Sequence, residues 1–225
     1  MKKFLLLSLL ALLGATFARA EASRADLVVR VETCEAIVQE FQRRPETAIK
    51  PEVLKAAKGI IILSQFKAGL VLGVKDGFGV IMVKKPNGSW SLPVLLNAGE
   101  ASIGLQLGAK SDESIYIITD DKTPRMLFKQ RFNLGVDAKA VAGPKAAEKE
   151  SYNVEILKTP LLAYTKSVGL FVGATVKAGH LSRNDSANFV LYNTGYTIPE
   201  LLYSDWVTPP DEVKPLMQLM KTLSP

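Results

Sequence analysis

The sequence predicts an α+β fold: a strongly curved, mostly antiparallel sheet or partly closed barrel, with N-terminal and C-terminal helices packed on it. Three observations lead to this class. Apolar residues recur at helical spacing near both ends of the chain, short apolar strands separated by turns fill its middle, and a glycine-spaced strand motif occurs three times. The chain has 225 residues, 48% of them hydrophobic, which is enough to bury a sizeable core.

The first helix is predicted over residues 24–43 and ends before Pro45. Its apolar positions follow one another every three or four residues: Leu27, Val31, Cys34, Val38 and Phe41. The opposite face is acidic and would be repelled by an anionic membrane, so we expect the apolar face to pack on the rest of the domain. Cys34 lies on that face, which predicts a buried, unreactive thiol.

A helix predicted over residues 51–58 precedes the strands, with Pro51 at its first position and Gly59 after its end. The strands are predicted over residues 60–64, 68–74, 78–84, 89–96, 102–109, 115–119, 132–136 and 168–176. Turns are predicted at Lys75–Gly77 and Pro86–Gly88. Further helices are predicted over residues 121–130, 199–203 and 211–223.

The recurring motif has the form Gly-Leu-x-Leu/Val-Gly and occurs at residues 69–73, 104–108 and 169–173. Alternate residues of a strand share a face, so each copy would have one apolar face and one bare glycine face. Bare glycines let the sheet bend or another backbone approach closely, which favours a curved sheet.

Residues 1–20 have the pattern of a secretory signal peptide. Lys2 and Lys3 precede fourteen residues without a charge, and small residues at Ala18 and Ala20 suit cleavage after Ala20. An uncleaved anchor helix is the alternative, but the apolar run is short for a membrane span. We therefore expect a periplasmic or secreted chain of residues 21–225, which forms one domain because no linker-like stretch divides it.

The charge pattern gives little support to a nucleic-acid partner. The formal charge of +6 falls to +3 when Lys2, Lys3 and Arg19 leave with the signal peptide. A local excess of cations remains over residues 43–75, where seven Lys and Arg face two Glu. It indicates either a binding patch or an ordinary solvated surface.

Patterns typical of enzymes are weak, so we predict that the chain is not an enzyme and holds no cofactor, metal or nucleotide. His180 is the sole histidine and Cys34 the sole cysteine. The acidic pairs Asp112–Glu113 and Asp120–Asp121 are adjacent on the chain, so turn and helix-cap roles are favoured over a catalytic dyad. No phosphate-binding glycine loop has the required spacing.

The central part of the chain, about residues 50–203, resembles the SYLF domain family. The similarity rests on an ordered set of short segments: residues 57–62, 67–73, 88–93, 99–109, 132–137, 142–144, 164–173 and 198–202. The resemblance implies lipid binding and, in some members, actin binding, with no catalytic residues. Together with the leader, it suggests a bacterial, secreted member, for which we expect an anionic phospholipid or membrane surface as partner.

The residues chosen for that role are the cations around the local excess and one aromatic residue beside a hairpin tip: Lys50, Lys55, Lys58, Lys67, Lys75, Lys84, Lys85 and Trp90. A core position for Trp90 is the alternative. Tyr203 and Trp206 form a second candidate anchor, for which core packing is favoured. A protein-interaction or structural module of the cell envelope, with a protein partner, is the other function that stays open.

Overall fold

The computed structural model describes residues 22–69, 72–103, 106–126, 131–133, 140–143, 156–173 and 176–225. Its helices are α1 (Arg24–Arg43), α2 (Pro51–Ala56), α3 (Thr123–Met126), α4 (Asp185–Tyr192), α5 (Ile198–Tyr203) and α6 (Lys214–Leu223). Its strands are β1 (Gly59–Gly69), β2 (Leu72–Val83), β3 (Val94–Ile103), β4 (Gln106–Ile118), β5 (Arg131–Asn133), β6 (Ala140–Ala142), β7 (Leu161–Gly173) and β8 (Val176–Arg183).

The strands form one sheet in the order β5-β8-β3-β2-β1-β4-β7-β6. Six long strands at its centre are antiparallel, and the three-residue strand β6 pairs parallel to β7 at one edge. The predicted α+β class and antiparallel sheet are confirmed. Over the described residues the sheet stays open, so the partly closed barrel is not formed.

Helix α1 forms where the apolar spacing predicts it. Ser23 caps its first turn, since the Asp26 amide donates to the Ser23 hydroxyl at 3.2 Å and the Ser23 amide donates to the Asp26 carboxylate at 3.0 Å. Its apolar side is buried against β1 and β2. As expected, the acidic helix therefore packs on the sheet.

One end of the sheet is covered on both faces. The stretch Ile60–Leu63 of β1 is fully buried although alternate side chains point to opposite faces. The neighbouring stretches Val80–Val83 of β2 and Val94–Leu96 of β3 are buried in the same way. Burial of the apolar surface of these strands is the main contribution to the core.

The glycine motifs differ in where they lie: the third, residues 169–173, lies on the single strand β7 as predicted, whereas the first does not. Gly69 ends β1 and pairs with Gly73 of β2, so the first motif spans a change of chain direction instead of one strand. The predicted turn at Lys75–Gly77 is wrong, because these residues continue β2. The Pro86–Gly88 turn is confirmed, with Gly88 at a φ of 82° and a Lys84–Trp90 bridge closing the hairpin.

Some predictions fall outside the described residues: the signal peptide of residues 1–20, the end of the helix predicted over 121–130 and the strand residues 134–136. No helix in the described ranges is both long and apolar enough to cross a bilayer.

Helix α4, which the sequence analysis did not predict, completes the pairing of β3. The β3–β8 ladder ends at the pair Leu96–Arg183. Beyond that pair, the buried Asn188 side chain accepts a hydrogen bond from the Leu95 amide at 2.8 Å and donates one to the Leu95 carbonyl at 3.0 Å. An amide side chain thus replaces the next residue of a strand.

We expect Asn188→Ala to lower the free energy of unfolding by on the order of 2–4 kcal/mol, because two buried backbone groups of Leu95 lose their partners. Urea titration followed by circular dichroism measures the change. Phe189→Ala, on the exposed side of the same helix, should change stability far less. Equal effects of the two substitutions would contradict the strand-completing role.

The Cys34 thiol should resist modification in the folded protein. Burial raises its pKa to about 12, which lowers the thiolate fraction at mildly alkaline pH by on the order of a thousand-fold. Ellman's reagent should react slowly with the native chain and stoichiometrically in guanidinium chloride. Because the unfolded thiol ionises more readily, the free energy of unfolding should fall as the pH rises above about 9. Rapid labelling of the native chain would show that α1 is not packed as described.

Candidate functional site

The strand register brings three distant parts of the chain to one end of the sheet. Gly59, the first residue of β1, lies opposite Val83 at the end of β2 and Ile118 at the end of β4. Just outside the ladder, the Lys58 amide donates to the Ile118 carbonyl at 2.7 Å, and the Lys84 amide donates to the Lys58 carbonyl at 2.8 Å. Residues that precede β1 therefore lie beside residues that follow β2 and β4.

Five cationic side chains line a pocket of about 640 Å³ at this end, which we call the cationic pocket. Asp121 is the one carboxylate residue on its wall within the described part of the chain, and Tyr203 supplies an aromatic ring. The cations are Lys55, Lys58, Lys84, Lys85 and Arg125. With five positive charges against one negative charge, the pocket favours an anion.

The lysines differ in what they already contact. Lys55 and Lys58 are exposed, and their side chains form no hydrogen bond or ion pair with any described residue. Lys84 donates to the backbone oxygen of Pro225. Lys85, whose side chain is only 9% exposed, pairs with the Asp205 carboxylate at 2.5 Å and donates to the Ser204 carbonyl at 2.8 Å. Among the described residues, Lys55 and Lys58 are thus the pocket lysines whose side chains have no partner, whereas the Lys85 side chain holds the segment after α5.

The other predicted site residues do not join them. Lys67 is 1% exposed and Lys50 is also buried, so neither belongs to a surface patch. Lys67 lies on the same face of β1 as the buried Gln65, since alternate residues of a strand share a face. The backbone of Lys75 pairs with Lys67, and its side chain lies outside the described residues.

Trp90 occupies the core position that was the alternative. It is 4% exposed, and its indole N–H donates to the Ser224 carbonyl at 3.0 Å. The Ser224 hydroxyl donates in turn to the Leu54 carbonyl at 2.6 Å, so the indole is part of a buried link between the hairpin, α2 and the end of α6. As placed, Trp90 is not available as an interfacial residue, and that part of the prediction is wrong.

Sequence reasoning missed two residues of the pocket. Arg125 lies on α3, whose first turn is capped by Asp120: the Thr123 amide donates to its carboxylate at 2.7 Å. The predicted cap role of that acidic pair is confirmed for Asp120. Placing Arg125 beside Lys58 requires the β1–β4 register, which a local motif does not reveal. Tyr203 was expected in the core and is instead 41% exposed.

The pocket can bind an anion by charge and by hydrogen bonds. Lysine and arginine side chains provide only donors, which suits phosphate or carboxylate oxygens. Partial burial raises the pKa of the Tyr203 hydroxyl on the pocket wall. Among the residues described, no group of three His, Cys, Asp or Glu side chains is placed to hold a metal ion.

A second, mainly apolar pocket of about 930 Å³ lies on the other side of the hairpin tip. Gly88 lines both pockets, and Trp90, Pro215 and Met217 form part of the second wall. The hairpin after β2 therefore separates a cationic surface from an apolar one.

Comparison with known proteins places these features in a family. The family model described as Ysc84, Las17-binding protein actin regulator, matches residues 99–223. LAS seventeen-binding protein 3 from Saccharomyces cerevisiae is 29% identical over 180 residues, which are 79% of this chain and 39% of that protein. SH3 domain-containing YSC84-like protein 1 from Bos taurus is 26% identical over 182 residues, which are 80% of this chain and 53% of that protein.

The chain thus spans about half, or less, of the length of these curated relatives. No solved structure gives a significant match to it. Because the family model covers more than half of its residues, this chain belongs to the Ysc84 family, the SYLF-domain family of binding modules.

Proposed function

We propose that the chain is a non-enzymatic module that binds an anionic phospholipid membrane through the cationic pocket. The observation that carries this proposal is the convergence of Lys55, Lys58, Lys84, Lys85 and Arg125 from three segments onto one pocket. Lys55 and Arg125 are 70 positions apart in the sequence. The pairing of β1 with β2 and β4 is what brings the five cations together.

The expected strength suits reversible docking. Near an anionic surface each Lys or Arg contributes about 1 kcal/mol, and the effect extends over about one Debye length. Lys55 and Lys58 contribute in full because their side chains give up no partner among the described residues. Lys85 contributes less, since Asp205 already neutralises it at 2.5 Å. A total of a few kcal/mol gives binding that salt can reverse.

The proposed location is the periplasm or the exterior of the cell. The support is the leader pattern of residues 1–20, with Lys2 and Lys3 ahead of an uncharged run and Ala20 at the cleavage position. In such a compartment the outer face of a bacterial membrane offers acidic phospholipid head groups, which match the charge of the pocket.

A protein-interaction module is the second candidate. It is favoured by the relatives, whose family description and names refer to binding Las17. In this case the cationic pocket would receive acidic side chains of a partner, and vesicles alone would not occupy it.

We expect Lys55→Glu/Lys58→Glu to weaken binding to vesicles of phosphatidylglycerol and phosphatidylcholine by at least about thirty-fold, because two contributions of about 1 kcal/mol are lost. Co-sedimentation of the full chain with the vesicles gives the partition coefficient. The fold should persist, since neither lysine side chain bonds to another described residue.

Arg43→Glu/Arg44→Glu is the matched control, because it makes the same change in net charge away from the pocket and breaks only surface ion pairs with Glu40. It should leave vesicle binding within a few-fold of the unaltered chain. Binding should also decrease with added salt and be absent for pure phosphatidylcholine. Equal losses in both double variants would assign binding to overall charge and contradict a role of the pocket.

A further inference from the structure

Three aromatic side chains near the cationic pocket are exposed to solvent. Trp206 is 65% exposed, Tyr203 is 41% exposed and Tyr196 is 40% exposed. Trp206 and Tyr196 contact each other, with ring centroids 5.3 Å apart and planes tilted by 54°. Large apolar side chains in a group on a protein surface are uncommon unless the surface contacts something else.

The group is held next to the cationic pocket by defined contacts. Tyr203 lines the pocket itself. The next two residues are fixed to Lys85, through the Ser204 carbonyl at 2.8 Å and the Asp205 carboxylate at 2.5 Å. Trp206 follows directly, so the indole is placed within a few residues of the pocket wall.

The segment is also anchored to helix α5. The Ser204 amide donates to the Glu200 carbonyl at 3.0 Å, and the Ser204 hydroxyl donates to the same carbonyl at 2.5 Å. Thr197 and Glu200 form a capping box at the other end of this helix. Because hydrogen bonds fix both ends of this short helix, the exposed Trp206 side chain extends from an ordered part of the backbone.

We propose that Trp206, Tyr196 and Tyr203 form an aromatic anchor that enters the head-group region of the same anionic membrane that the cationic pocket binds. This inference rests on the function proposed above and adds the orientation of the molecule on the membrane. Indole and phenol rings combine an apolar body with a polar edge, which suits the boundary between water and acyl chains. Cations and aromatic rings side by side match both components of an anionic membrane surface.

The carboxylates on this surface do not oppose the arrangement strongly. Asp205 is paired with Lys85, and Asp121 lies on a wall with four other cations. The apolar face of α1 is not an alternative anchor, because its residues from Leu27 to Phe41 are buried in the core. The aromatic group is therefore an exposed apolar surface close to the pocket.

The two tryptophans of the chain provide the test. Trp206 is exposed, whereas Trp90 is 4% exposed and hydrogen-bonded in the core, so it acts as an internal reference. Vesicles of phosphatidylglycerol and phosphatidylcholine should shift the emission of the full chain to shorter wavelength and protect it from acrylamide. Brominated phospholipid should quench the same emission. In Trp206→Phe, where Trp90 alone emits, none of these changes should occur.

Affinity gives an independent measurement. Trp206→Ala should weaken vesicle binding roughly ten-fold, because the indole no longer transfers its apolar surface from water. Phe189→Ala is the matched control: Phe189 is 56% exposed, lies on α4 and lines neither pocket. It should leave the affinity unchanged.

The outcomes separate the two proposals. If the chain binds anionic vesicles while Trp206 remains as accessible to acrylamide as in solution, the anchor is wrong and membrane binding by the cationic pocket stands. If the chain does not bind the vesicles, both proposals are overturned, and an acidic protein partner becomes the function to examine. Equal losses for Trp206→Ala and Phe189→Ala would also overturn the anchor.

Discussion

Burial of the sheet on both faces at one end is the constraint on which the rest of this structure depends. The consecutive apolar residues of β1, β2 and β3 are buried on both faces of the sheet. Helices from the N-terminal and C-terminal parts of the chain must therefore cover them. Helix α1 does so from the N-terminal side, and its packing fixes the stretch Ile60–Leu63. The strand ends that this packing holds in register place Lys58 beside Lys84 in the wall of the pocket.

The lysines that line the pocket differ in their contacts with the rest of the protein. Lys84 and Lys85 follow β2 and contact the C-terminal residue and the segment after α5. Lys55 and Lys58 precede β1, and their side chains pair with no described residue. Two pairs of lysines that look alike in the sequence therefore make different contacts. The contacts depend on which carbonyl and carboxylate groups the fold brings near each pair.

Local signals in the sequence predicted much of the fold and only part of the site. The spacing of apolar residues predicts α1, and Pro86–Gly88 predicts its hairpin, because each depends on neighbouring residues alone. The role of Asn188 and the burial of Trp90 depend on partners about ninety or more positions away, Leu95 and Ser224. The glycine motif lies on one strand at residues 169–173 but is divided between β1 and β2 at residues 69–73, because a period of two suits a strand equally well on either side of a reversal.

The packing of α1 also constrains the membrane binding proposed above. The apolar face of the helix is buried in the core, and removing the helix would expose the buried stretch of β1 to water. In the proposed binding mode the fold therefore stays intact, and one preformed surface contacts another. Such a mode needs no refolding step for association or dissociation, so the lifetime of the complex would depend on the salt concentration and on the head groups of the membrane.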